Sequence, residues 1–509
     1  MLARAHAFTI DGLHTRRITV EVDIRAGLPA FTIVGLADTA VREARERIQA
    51  AIRNAGFDFP ARRITANLAP GDVPKAGPGL DLALACAVLA ASGQLDGAML
   101  GRAVMLGELS LDGRVRPSRG SLAVAEATHR AGLELLALAS ASAREAGLID
   151  GLRVAPVESL RSAVRVLEGG PPDPLPAPAA HPGAPRPADR CPELSDVIGQ
   201  PGAVQALVVA AAGGHNCLLS GAPGTGKTML AQRLGSILPP MSRREAIEVT
   251  RIRGLLGTPV TGLASERPFR APHHSITAAG LIGGVRGGWA GEVLLAHNGV
   301  LFLDELSEFS RPTLDALRQP LEDGRVAVVR SRHSAVYPTR FMLMAATNPC
   351  PCGYAGEGED CSCSPGDVAR HERRLSGPLL DRIDLLVEVR RPRVSSASEE
   401  GRTTSAQARE LVREARARAA RRLKIDGLEL NAQMDARALR SHVHLDSRAE
   451  ALLGMAREQG ALSCRGEARV MSVARTIADV EASARVRARD VGAALTLRGR
   501  RGRAVRHAA

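Results

Sequence analysis

Two short stretches of the chain carry the residue types that phosphate chemistry requires. Gly221-Ala222-Pro223-Gly224-Thr225-Gly226-Lys227-Thr228 matches the loop G-x-x-x-x-G-K-[ST]. Its glycines let backbone N–H groups curl around phosphate oxygens, and a helix beginning there adds a favourable dipole. Lys227 is placed for the β and γ phosphates of ATP, and the Thr228 hydroxyl for Mg²⁺. Downstream lies Gly299-Val300-Leu301-Phe302-Leu303-Asp304-Glu305. Four apolar residues make a buried strand whose C-terminal end delivers two carboxylates, and open α/β sheets bind ligands at that end. Asp304 would hold the metal, directly or through water. Glu305 would polarise the water that attacks the γ-phosphate.

Composition sharpens the first motif. The basic charge is almost wholly arginine, and the only lysines are Lys75, Lys227 and Lys424. A lysine kept in such a background is expected where a compact ammonium fits and a planar guanidinium does not. Lys424, in an arginine-rich segment, fits chance retention. Lys and Arg outnumber Asp and Glu by 67 to 54, a formal charge of +13, which favours an anionic partner such as nucleic acid. With aromatics at 2%, arginines on phosphates are the expected contacts rather than stacking platforms. No apolar run reaches the roughly 20 residues of a membrane span, and the N-terminal segment lacks the apolar stretch of a secretion signal. The cytoplasm is the expected location, with no membrane partner.

Pattern identifies the elements that must position these residues. A length of 509 residues suggests about three domains. Eight prolines between Pro171 and Pro187 make 169–192 an extended linker, which separates a domain at 1–168 from the rest. Over 193–393, apolar runs at 216–220, 300–303, 341–346 and 385–389 alternate with helical patterns, as a parallel α/β sheet demands. Helical patterns at 403–423, 446–459 and 466–485 then fill 394–509, which ends in a basic tail from Arg498 to Arg506.

The acidic pair, the strand ending Ala345-Ala346-Thr347-Asn348, and Leu379-Leu380-Asp381-Arg382-Ile383-Asp384 together resemble an AAA+ ATPase. More narrowly, Phe269-Arg270-Ala271-Pro272-His273-His274-Ser275, Ala296-His297-Asn298-Gly299-Val300 and Ser376-Gly377-Pro378-Leu379-Leu380-Asp381-Arg382 resemble the magnesium-chelatase-like ATPases of the YifB/ComM type. The likeness covers essentially the whole chain, linker excepted. It implies an AAA+ P-loop core with a helical C-terminal lid, in a homo-oligomeric ring expected to be a hexamer. It also implies that Asn348 is the sensor beside the γ-phosphate and that Arg382 is the finger offered to the neighbouring subunit's nucleotide. Arg465, in Ser463-Cys464-Arg465-Gly466-Glu467, resembles the second sensor, in the lid. Arginine in trans stabilises charge on the transferring phosphoryl group, so hydrolysis would need the assembled ring. An intrachain pair with Asp381 or Asp384 is the alternative for Arg382, and Arg469 is the rival of Arg465.

Between Gly324 and Pro338, two β-prone runs flank a polar tip carrying Arg330, Arg332 and His333, the pattern of a hairpin. Its position resembles that of the pore hairpin in the AAA+ branch that includes the MCM helicases. A glycine-rich insert from Gly280 to Trp289 holds Arg286 and the only tryptophan, and resembles a pore loop. Arg330, Arg332 and Arg286 are therefore the candidate DNA contacts. Trp289 either touches nucleic acid or anchors its loop.

Cys350-Pro351-Cys352 and Cys361-Ser362-Cys363 offer Zn²⁺ a tetrahedral thiolate shell, with free thiols or a redox pair as alternatives. The doublet His273-His274, with no carboxylate near it in sequence, reads as structural. In the N-terminal domain, 74–82 and 107–115 resemble the proteolytic domain of Lon proteases, an α+β fold of the ribosomal S5 domain 2 type. That fold uses a Ser–Lys dyad, and Gly79 and Leu122 stand at the matching positions, so no peptidase chemistry is expected.

The function these residues imply is a ring ATPase that couples ATP hydrolysis to movement on branched or duplex DNA without sequence preference. The resemblance points further, to branch migration of recombination intermediates during natural transformation. A chelatase-type motor driving metal insertion or protein remodelling is the alternative. An ATP-dependent protease is opposed by Gly79 and Leu122.

Overall fold

The computed structural model describes residues 2–498 except 12, 37, 74, 76, 176–191, 259, 284–290, 331–332, 357–360, 376, 392–401 and 461. The chain divides into two units. One comprises 1–182, Arg243–Ala264 and Arg332–Tyr337, and the other 183–242, 265–331 and 338–509. Arg243–Ala264 thus belongs to the first unit, although the sequence boundaries put it within 193–393.

The first unit includes the strands β1 (Leu2–Asp11), β2 (His14–Arg25), β3 (Ala30–Val34), β4 (Arg63–Ala69), β5 (Ala103–Leu106), β6 (Glu108–Leu109), β7 (Val115–Arg116), β8 (Leu135–Ala139) and β9 (Arg153–Val157). Seven form a mixed sheet in the order β3-β4-β2-β1-β5-β8-β9. Along β2 every second residue, Ile18, Val20, Val22 and Ile24, is buried, the two-residue period of a sheet covered on one face. The helix Asp81–Ala91 is buried on all sides, so it shows no amphipathic stripe. Lys75 is fully buried, with Nζ donating to the Pro70 carbonyl, and burial lowers its pKa. Leu122 is buried in the helix Ser121–Arg130, and a Cβ at Gly79 would lie 3.3 Å from Ser118 Oγ. Lys424, by contrast, is exposed.

The second unit contains β10 (Cys217–Ser220), β11 (Phe269–Arg270), β12 (Val300–Leu303), β13 (Arg325–Arg330), β15 (Met342–Thr347) and β16 (Leu385–Glu388). Between β13 and β15 in sequence comes β14 (His333–Pro338), which pairs with β13 as a two-stranded sheet. The other five strands are all parallel, in the order β11-β12-β15-β10-β16. Four of them coincide with the apolar runs read from the sequence to within one residue. β11 has two residues, too short to show a period. The connection leaving β10 runs toward β11 at one edge and that leaving β15 runs past β10 to β16 at the other, so the adjacent β10 and β15 form the kind of switch point where such sheets open a ligand crevice.

Helices Ser405–Leu423, Ala436–His442, Ser447–Glu458, Cys464–Val480 and Ala488–Leu497 follow. Thr404, Asp435, Asp446 and Ser463 cap the first four through side-chain oxygens, satisfying amides that helix starts leave open. One apolar core joins these helices to one face of the sheet, with Leu219, Phe302, Val412, Val473 and Val491 all buried in it.

Candidate active site

Three strand ends meet at the C-terminal edge of the parallel sheet. Register pairs Ser220 with Thr347 and Leu303 with Ala345, so the loop after β10, the carboxylates after β12 and Asn348 after β15 emerge side by side. Gly221 passes so close to β16 that a Cβ would fall 2.1 Å from the Val389 carbonyl oxygen. Gly224 and Gly226 have φ of +76° and +89°, in the region only glycine adopts freely. The helix Lys227–Ile237 starts directly behind them. Lys227 Nζ donates to the carbonyls of Gly221 and Ala222 at 2.7 and 2.9 Å and to Asn348 Oδ1 at 3.1 Å. Burial lowers its pKa, and the Asp304 charge works the other way. Thr228 Oγ1 donates to Asp304 Oδ2 at 2.7 Å, so two oxygens of the kind a hard divalent cation takes stand together.

Glu305 sits at φ +50°, an uncommon region for a residue with a side chain and one that collects at functional sites. Its N–H donates to Asp304 Oδ1 at 2.9 Å, and its side chain is 57% exposed. His274 Nδ1 lies 3.3 Å from Glu305 Oε2, with the His273 ring 4.0 Å away and Phe309 edge-on at 6.5 Å. A carboxylate therefore stands beside the histidine doublet, although none is near it in sequence. The contact follows from register: Phe269 pairs with Val300, and His274 and Glu305 lie equally far beyond that pair. The missed signal was β11.

Arg382 lies at the other end of the sheet, just before β16. Its guanidinium pairs with Glu322 and donates to the Pro378 carbonyl at 2.7 Å, leaving the side chain 13% exposed. The observed ion partner is therefore Glu322, distant in sequence, instead of the neighbouring aspartates. The Arg382 hydrogen bond, and then its charge, hold the Glu322 carboxyl below its ordinary range, with smaller help from Arg465 and Arg469. Arg469 pairs with Asp384 at 3.0 Å, while Arg465 is exposed in the first turn of its helix. Burial opposes ionisation of Asp384, yet the His215 hydrogen bond and the Arg469 charge hold its pKa down. His215 also reaches Thr476 Oγ1 at 2.8 Å, and Asn431 bridges Thr476 and Asp479 at 3.0 and 2.8 Å.

The four clustered cysteines come together, with all their sulfurs within 4.8 Å of one another. The proposed DNA contacts are less defined. Arg286, Trp289 and Arg332 lie outside the described residues, and Arg330 is placed as the last residue of β13 by its backbone alone.

Comparison with known proteins follows the same division of the chain. The family model described as magnesium chelatase, subunit ChlI, matches residues 193–397. Models for subunit ChlI of Mg-chelatase and for the ChlI C-terminal part match 20–142 and 402–498. The YifB protein of Salmonella typhimurium is 42% identical over 483 residues, covering 94% of each chain. The competence protein ComM of Haemophilus influenzae is 40% identical over 484 residues, again 94% of each. The magnesium-chelatase 38 kDa subunit of Acidiphilium rubrum is 28% identical over 226 residues, 38% of this chain and 58% of its own. Among the described residues no helix is long and apolar enough to cross a membrane. With its parallel sheet and helices of the magnesium-chelatase-like AAA+ fold, the chain belongs to the YifB/ComM-type magnesium-chelatase-like family.

Proposed function

We propose that this chain is the subunit of a cytoplasmic, hexameric ring ATPase that moves on DNA, and that its first unit is a Lon-like domain without peptidase chemistry. The observation that carries the ATPase reading is the convergence of Lys227, Thr228, Asp304, Glu305 and Asn348 at one sheet edge. The loop from Gly221 to Gly226, including Ala222, Pro223, Gly224 and Thr225, cradles the phosphates of ATP with backbone N–H groups. Thr228 and Asp304 would hold Mg²⁺, which would supply charge neutralisation at the β and γ phosphates. Lys227 exchanges its carbonyl partners for phosphate oxygens. Glu305 orients the attacking water, and Asn348 fixes its position at the γ-phosphate.

Arg382 is the trans residue. It precedes β16, whereas the phosphate loop follows β10, and the two strands run parallel in register. A strand length, about 13 Å for four residues, therefore separates the finger from its own nucleotide, which supports service to a neighbour. Arg465, exposed and near Glu322, acts with it as the second sensor. The four cysteines hold a structural zinc ion.

DNA binding rests on the arginine excess and the β13–β14 ribbon, where Arg330 ends β13, with Arg332 and Arg286 as the further contacts expected from the sequence. Guanidinium contacts to phosphates bind without reading sequence, which suits branch migration in homologous recombination during transformation. Similarity to magnesium-chelatase subunits supplies the competing reading, metal insertion or protein remodelling. ATP turnover with and without forked DNA separates them. Stimulation by forked DNA, lost in the Arg330→Ala/Arg332→Ala double variant with basal turnover retained, is expected. An assembled wild-type ring whose turnover ignores DNA favours the alternative.

A further inference from the structure

The segment from Asn348 to Ser364 has neither strand nor helix among its described residues, yet it lies directly against the phosphate loop. Something must hold it there. Cys350 Sγ stands 3.3 Å from Cys352 Sγ and 3.9 Å from Cys361 Sγ, and Cys352 Sγ stands 3.7 Å from Cys361 Sγ. Four thiolates at about 2.3 Å from one tetrahedral zinc ion stand about 3.8 Å apart, so these spacings match a shared ion. They are far too long for an S–S bond of about 2.05 Å. The Cys352 N–H points at Cys363 Sγ at 3.4 Å and the Ala355 N–H at Cys350 Sγ at 3.3 Å, the outer hydrogen bonds that orient ligands of a bound metal.

The cluster is tied to the nucleotide site at three points. Cys350 follows Asn348, the partner of Lys227, with one residue between. The Asn348 carbonyl accepts from His371 Nε2 at 3.0 Å, and His371 is buried in the helix Pro365–Arg374, which starts soon after Cys363. Gly353, in the turn closed by its N–H to the Cys350 carbonyl at 3.0 Å, has φ +90°, and a Cβ there would meet Pro223 Cδ at 2.5 Å. Tyr354 adds a fourth anchor, its ring 5.4 Å from the Arg391 guanidinium.

We infer that the zinc ion bound by Cys350, Cys352, Cys361 and Cys363 is a clamp on the ATP site, fixing Asn348 and pressing Gly353 against Pro223 of the phosphate loop. Metal loading then sets nucleotide affinity. Loss of the ion by chelation frees the sensor and loosens the cradle. The inference rests on the zinc and ATP-site assignments, and its test reads metal content, nucleotide binding and turnover separately.

The full-length protein is purified after growth with zinc, and its zinc content is measured. One ion per chain is expected, and cobalt in its place should show the visible bands of a tetrahedral thiolate site. Less than a tenth of an ion per chain, with no such bands, overturns the zinc site. Zinc is then stripped with a thiol-reactive mercurial and a chelator, the thiols are regenerated, and affinity for a fluorescent ATP analogue is measured. We expect a loss of about tenfold or more that zinc restores. Full zinc occupancy with unchanged affinity on stripping overturns the clamp and leaves the metal site standing. Gly353→Ala offers a second measurement with the cysteines intact. It should keep its zinc, which reports that the knot is folded, and raise the KM for ATP. An unchanged KM overturns the coupling. Zinc-loaded protein that binds the analogue but never hydrolyses ATP argues against the proposed ATPase and leaves the clamp standing on its binding readout.

Discussion

The two ends of the second unit's parallel sheet are built in opposite ways. At the C-terminal edge Glu305 is 57% exposed in a left-handed conformation, Thr228 and Asp304 share one hydrogen bond, and Lys227 leans on carbonyls of its own loop. Phosphates and a cation can replace these contacts, so the polar groups there are held in waiting. At the N-terminal edge His215 and Asp384 have side chains 0% and 1% exposed, and each is tied to more than one partner. A buried network of this kind resists rearrangement, because removing one member leaves the others without a partner in low dielectric. One edge is made to change partners and the other to stay put. Arg382 stands between these regimes. It is bonded to Glu322, but that carboxylate is 53% exposed, so an anion can compete for the guanidinium, as the proposed trans role requires.

The largest effect is expected from Arg382→Ala, which should lower ATP turnover about 10³-fold or more while nucleotide affinity stays near wild type. A parallel fall in affinity would make Arg382 part of its own subunit's pocket and erase the difference between the edges. Glu305→Gln should cost about 10²–10⁴-fold in turnover with binding retained, whereas Lys227→Ala should lose binding itself. Wild-type turnover in the glutamine variant would remove Glu305 from the chemistry.

Asp384→Asn tests the locked edge through stability. It removes the carboxylate shared by His215 and the part-exposed Arg469 and should cost about 1–3 kcal/mol, measured by denaturant unfolding. Because the folded-state pKa of Asp384 lies below its unfolded value, its contribution is present above about pH 4 and is lost as pH falls through the folded pKa. The gap between wild type and variant should therefore narrow in acid. A gap that widens there would contradict the assignment. His274→Ala should have the smallest effect, a change of a few-fold in turnover with ATP affinity unchanged, since the ring stands against Glu305, His273 and Phe309. Loss of ATP binding would show that it supports the pocket instead.

How far these features could be read without coordinates depended on how local their causes are. The loop at Gly221–Thr228 and the strand before Asp304 announce themselves, because glycines, lysine and an apolar run are consecutive. Helix starts at Thr404, Asp446 and Ser463 are equally legible through their caps. The cysteine cluster was visible as two doublets, but its contact with Pro223 depends on a turn at Gly353. The His274–Glu305 contact needs the β11–β12 register, and β11 is too short to show alternation. The Arg382–Glu322 pair joins segments distant in sequence, and the His215–Asp384 pair needs the β10–β16 register. Membership of Arg243–Ala264 in the first unit had no local signature, since an amphipathic helix does not reveal which core it covers.

The central claim is that each open edge is completed by the Arg382 of another subunit, and mixing tests it most directly. Arg382→Ala chains keep a complete phosphate edge but offer no finger. Glu305→Gln chains offer the finger but cannot activate water. Each alone should be inactive, and a mixed ring should hydrolyse ATP at a rate that peaks at intermediate ratios, because some interfaces then join an intact Glu305 to an intact Arg382. Mixed rings that are shown to assemble and remain as inactive as either parent would contradict the account.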